Sequence, residues 1–179
     1  MAYCRCYPAA LMPGNELCIV MIFYYRGMIV INKICQVIDG EYVCDIDISV
    51  EEWKALLMNE KVFDSKSIEA LKKWYIEPNH SCTCFDIGKK YEQHSMSANG
   101  VINGLGGRVQ KELGRFEVKG IGNIAPGTKF ITVMKSKETG EKPKRYLWTI
   151  RDELVQAIKE LDFFGSKEIT TNEYYSDDE

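Results

Sequence analysis

One hundred and seventy-nine residues suit one domain, or one and a small appendage, and suffice to bury a full hydrophobic core. With 45% hydrophobic and 27% charged residues and a net charge of -3, the chain reads as an ordinary soluble protein expected in the cytoplasm. Its longest apolar run, residues 17–25, is closed by Arg26 and is too short for a membrane span; the first residues also lack the basic and apolar segments of a secretory signal.

Residues 1–14, with Pro8, Pro13 and Gly14, show no periodicity and read as a loose arm. Residues 15–45 read as extended chain. The β-branched and aromatic run to Tyr25 is broken by Arg26-Gly27 and resumes at Met28, while Asp39-Gly40 is a hairpin signal before Tyr42-Val43-Cys44. The period then turns helical. Ser49 and Glu52 form a capping box ahead of Val50, Trp53, Leu56 and Leu57, and Ser65 or Ser67 caps a second helix that Pro78 closes.

Two further helices follow at a tight break. Thr83, with Asp86 three residues on, caps a short one, and Glu92-Gln93-His94-Ser95 is the break. Ser97 caps the second, whose apolar stripe is Val101 or Ile102, Leu105, Val109 and Leu113, ended by Gly114. A short helix, a turn and a longer helix are the helix-turn-helix pattern, in which the second helix enters the major groove. Opposite its stripe lie Asn99, Asn103, Gln110 and Lys111, with Arg108 at the edge; such side chains can pair with base edges or phosphates. Gly100, Gly104, Gly106 and Gly107 are costly in a helix and imply either a close backbone approach or a break.

Residues 116–118, 129–134 and 146–148 read as strands of one antiparallel sheet, turned at Ala125-Pro126-Gly127 and at Glu138-Thr139-Gly140-Glu141. A hairpin after the second helix is a wing. Thr149 then caps a closing helix with Ile150, Leu154, Ala157, Ile158 and Leu161 on one face, and the acidic end of the chain, 166–179, is expected to be disordered. The expected fold is therefore α+β, with three parts. An arm and hairpin over 1–47 precede a winged helix-turn-helix-like domain over 48–165, which carries the closing helix, and the tail follows.

Charge is distributed unevenly along this pattern. Between Asn99 and Arg145 ten basic residues face four acidic ones, so the block is +6 and the remainder of the chain -9. A segment of that sign, shaped as helix and hairpin, suits a polyanion. The candidate double-stranded DNA contacts are Ser97, Asn99, Asn103, Arg108, Lys111 and Arg115 on or beside the helix, and Lys135, Lys137, Lys142, Lys144 and Arg145 at the hairpin.

Ile48-Ser49-Val50-Glu51-Glu52-Trp53-Lys54-Ala55-Leu56-Leu57, the stretch 82–113, and Tyr146-Leu147-Trp148-Thr149-Ile150-Arg151-Asp152-Glu153-Leu154 together resemble a module of bacterial restriction-associated proteins. That module often stands beside McrB-type GTPases or HNH nucleases. The resemblance, over roughly 48–161, implies DNA recognition in restriction or phage defence, with a separate nuclease or NTPase subunit as partner.

Catalysis is not expected of this chain. His80 and His94 lie in no triad or metal-pair spacing, and the glycine-rich stretch 100–107 has no Walker lysine. Seven cysteines, Cys4, Cys6, Cys18, Cys35, Cys44, Cys82 and Cys84, make an odd set without knuckle spacing, which predicts free thiols and no zinc or other cofactor. The function reading that competes with DNA binding is a protein–protein adaptor on the same scaffold, its basic block meeting an acidic surface such as the Asp177-Asp178-Glu179 tail of another copy.

Overall fold

The computed structural model describes residues 22–25, 28–92, 94–120, 128–140, 142 and 145–165. The arm 1–14, the acidic tail, the Ala125-Pro126-Gly127 turn and Lys144 lie outside these residues. In chain order the elements are β1 (Ile22–Tyr25), β2 (Met28–Ile38), β3 (Glu41–Val43), α1 (Val50–Leu57), α2 (Ser65–Tyr75), β4 (Ser81–Thr83), α3 (Cys84–Lys90), α4 (Ser95–Leu113), β5 (Phe116–Gly120), β6 (Met134–Glu138), β7 (Tyr146–Ile150) and α5 (Asp152–Glu160). The class is α+β, with short 3-10 turns at Pro78–His80 and Thr128–Thr132.

The strands form two sheets. In the first, the long β2 pairs antiparallel with β1 and β3 and parallel with β5; in the second the order is β4-β7-β6, all antiparallel. Asp39 and Gly40, at φ +48° and +82°, make the β2–β3 turn with both central residues left-handed, the backbone twist a two-residue hairpin needs. That hairpin also joins the two sheets. Tyr42 N–H donates to Ser136 Oγ at 2.8 Å, and Glu138 N–H donates to the Gly40 carbonyl at 3.1 Å.

Local chemistry sets three helix ends as expected. Ser49 and Glu52 cap α1 reciprocally, and Thr83 Oγ1 accepts from Asp86 N–H at 3.0 Å to start α3. Gly114, at φ +66°, closes α4. Three caps differ. The N-cap of α2 is Asp64, whose carboxylate accepts from Ser67 N–H at 2.8 Å, so Ser65 and Ser67 lie inside the helix. Asp caps as well as Ser, and Phe63 and Ile68 occupy the flanking apolar staple positions. Helix α4 begins at Ser95, which puts Ser97 within it rather than at its cap. Thr149 belongs to β7, bonded through its hydroxyl to Ser81 Oγ at 2.6 Å, and Arg151 precedes α5 without a side-chain cap.

The core joins Trp53, Leu56 and Leu57 of α1, Leu71 and Trp74 of α2, Ile102, Leu105 and Val109 of α4, and Leu154 and Ile158 of α5. Residues 129–133 do not form the expected strand, and Met134 only opens β6. Phe130, Ile131, Val133 and Met134 are all at most 2% exposed, and an apolar run without alternation cannot distinguish a strand from a buried turn. Here the 3-10 turn enters the core, with the Phe130 ring 4.3 Å from that of Trp148 and edge-on to Trp74. Its backbone lies on α4 at Gly106, where an ideal Cβ would come within 2.7 Å of the Lys129 carbonyl carbon. Residues 116–148 are therefore not one antiparallel sheet: β5 leaves to pair with β2, and only β6 and β7 form the expected hairpin.

Candidate nucleic-acid interface

Helix α4 is turned largely inward. It packs on α2, α3, β5 and the 128–132 turn, and Ala98, Ile102, Leu105, Val109 and Gln110 are buried. Among its described side chains the exposed positions are Gly100, Gly104, Lys111 and Glu112. Asn99 and Asn103 are half-buried, and Asn103 Oδ1 is enclosed with no hydrogen-bond partner among the described residues. Gln110, expected on the polar face, is a core residue. Its Nε2 donates to Thr132 Oγ1 at 2.6 Å and its Oε1 accepts from Val118 N–H at 3.2 Å, which fastens α4 to β5 and to the inserted turn.

Arg108 within this helix and Arg115 just beyond it serve the protein's own acceptors. Arg108 Nε donates to the Val62 carbonyl at 2.8 Å, and its guanidinium reaches Ser67 Oγ and, at 3.4 Å, Asp64. Arg115 forms a forked pair with Glu52 and donates to the Asp47 carbonyl. This arginine, with the Ser49 cap behind it, holds the Glu52 carboxyl down at about 2. Both guanidinia, expected from the basic block as DNA contacts, are thus engaged by acceptors of the protein itself. Arg151, which sequence reasoning left unassigned, is buried and donates twice to the Ile131 carbonyl, at 3.0 and 2.8 Å.

The β6–β7 hairpin exposes Lys135, Lys137 and Lys142 and leaves Arg145 half-buried. In β6 the burial alternates, so Met134 and Ser136 face inward while Lys135 and Lys137 face solvent. Lys135 is paired with Asp152; Lys137 stands opposite Leu147, which in turn stands opposite Thr83 of β4. Lys142 is exposed beyond the strand end, and Arg145 leads into β7 with its guanidinium 3.9 Å from the centre of the Phe85 ring. Phe85, in the first turn of α3, is 47% exposed, and Lys89 is exposed one turn along the same helix. The sequence carried a faint signal for this pair, since Phe85 breaks the apolar spacing of Ile87 and Tyr91.

Among the described residues no three or more His, Cys, Asp or Glu side chains converge as a metal site, and Cys35, Cys44, Cys82 and Cys84 are free thiols. Burial pushes Cys44 and Cys84 up to about 12 and Cys82 to about 11, away from nucleophilic or ligating thiolate. No protein-family model, curated protein or solved structure matches this chain.

Proposed function

We propose that the protein is a double-stranded DNA-binding module built on a winged helix, which grips phosphates with the β6–β7 wing. The observation that carries this reading is topological. The run α2, β4, α3, α4, β6, β7, with strands ordered β4-β7-β6, is the helix and strand order of a winged helix, with β5 and the 128–132 turn inserted before the wing. Lys137, Lys142 and Arg145 supply the phosphate-facing charge. The inward packing of α4 favours backbone gripping over base readout, because Asn99 and Asn103 offer little free surface. The resemblance of 48–161 to restriction-associated modules is what supports a role in bacterial restriction or phage defence, beside a separate nuclease or NTPase subunit.

Fluorescence anisotropy of a random-sequence duplex, titrated from low to high salt, tests the reading. Binding should weaken linearly in log–log form, and replacing Lys137 and Lys142 by Ala should shallow the slope by about 0.9 for each phosphate no longer neutralised, equally for every sequence. A folded protein that binds no duplex at low salt overturns it. The inward commitment of Arg108 and Arg115 favours the adaptor reading as the second choice, and that result would select it.

A further inference from the structure

We propose that the exposed ring of Phe85, with the Arg145 guanidinium laid over it, is a stacking platform for an unpaired nucleobase, so that the protein prefers a duplex bearing a single-stranded overhang to a blunt one. The proposal rests on the nucleic-acid reading above and names the form of nucleic acid that this surface takes. Phe85 is the one exposed aromatic side chain among the residues whose burial is described, while its helix neighbours Ile87 and Gly88 are buried. An apolar ring of this size leaves water at a gain when a second flat apolar surface covers it. With Arg145 over it, Phe85 is still 47% exposed.

The surroundings favour a base over an apolar protein side chain. Lys89 lies one helical turn from Phe85, and the row Thr83, Leu147, Lys137 crosses the sheet from the α3 cap to an exposed cation. Lys142 stands at the same hairpin end as Arg145. Against these cations stands Asp86, whose carboxylate accepts from Thr83 Oγ1 at 2.6 Å and is held at the helix start. An aromatic face, a stacked guanidinium and flanking lysines are the elements with which proteins hold single-stranded segments: the ring takes a base face and the lysines take the phosphates on either side. In duplex DNA both faces of every internal base are already stacked, so the ring finds a free face only at an overhang, a gap or a frayed end.

The experiment compares full-length protein and Phe85→Ala on a fluorescein-labelled blunt duplex, the same duplex with a thymidine overhang, and the same overhang carrying 2-aminopurine. The expected result is that the wild type binds the overhang duplex roughly 5- to 150-fold more tightly than the blunt one, the range for one stacked base, and changes the 2-aminopurine fluorescence. Phe85→Ala should equalise the two duplexes at the blunt-duplex affinity, and Phe85→Trp should restore the preference. Equal wild-type affinities, or a preference that survives Phe85→Ala, overturn the platform while leaving duplex binding intact. Absence of binding to every probe overturns the nucleic-acid reading and the platform with it.

Discussion

Alanine at Gly106 and alanine at Gly100 are the same chemical change in the same helix, and they should move stability in opposite directions. At Gly100 an added methyl meets nothing within 4 Å. The substitution then gains helix propensity and restricts the unfolded chain, a stabilisation of about 0.5–1 kcal/mol. At Gly106 the new Cβ would lie 2.7 Å from the carbonyl carbon of Lys129, and the neighbouring atom is backbone in a buried turn, which cannot rotate away. Either α4 or the 128–132 turn must withdraw, loosening Phe130 against Trp148 and the Gln110–Thr132 bond. Overpacking costs about 1–3 kcal/mol and a strained polar contact about 1 kcal/mol more, against which the propensity gain is smaller. The net expectation is a loss of about 1–3 kcal/mol. For a chain of this length each kcal/mol shifts Tm by about 2–4 °C, so the two variants should melt on opposite sides of the wild type. Circular dichroism melts, with urea titrations to show that m is unchanged, provide the comparison. A neutral or stabilising Gly106→Ala would mean that the turn does not lie on α4, and the packing of Phe130 into the core would fail with it.

The remaining expectations concern ionisation. Glu52 is held at about 2 by Arg115 and its cap, below the ordinary carboxylate value of 4.5, so its contribution is present above pH 4.5 and is lost as pH falls towards 2. Because the pair is about one-third exposed, that contribution is about 1 kcal/mol after screening; Glu52→Gln should be less stable at pH 7 and converge with the wild type near pH 2, and parallel curves would refute the pairing. Cys44, Cys82 and Cys84, raised by burial, favour the thiol form in the folded protein, so their stabilising effect holds below about pH 9 and fades as pH climbs towards 11–12. At pH 8 iodoacetamide should modify them far more slowly in native than in urea-unfolded protein. Equal rates would show that these thiols are open to solvent.

Several elements whose cause lies within four residues were readable in advance, although the equally local Asp64 cap of α2 was not. Ser49 with Glu52, Thr83 with Asp86, Asp39-Gly40 and Gly114 each satisfy or redirect backbone groups beside them, and a local cause leaves a local trace. So does the β6–β7 hairpin, whose lysines alternate with buried positions. The candidate surface was legible only in part. Lys137 and Lys142 are exposed at the β6–β7 hairpin and Arg145 lies over Phe85, whereas Arg108, Arg115 and Gln110 carry the same polar chemistry and point to internal partners more than twenty residues away or into the core.

The residues alone thus determined the starts of α1 and α3, the end of α4, the Asp39-Gly40 turn and that a basic hairpin follows the longest helix, because capping, turn geometry and alternation act over a few bonds. Only the tertiary structure decided that β5 lies parallel to β2, that residues 128–132 fold into the core against Gly106, and that Gln110 of α4 is buried with the apolar stripe. Those outcomes depend on which distant surfaces meet. An apolar run such as Phe130 to Met134 satisfies the same hydrophobic demand as an edge strand, a central strand or a buried turn, and only its neighbours in space, the Gly106 backbone and the Trp148 ring, decide among them.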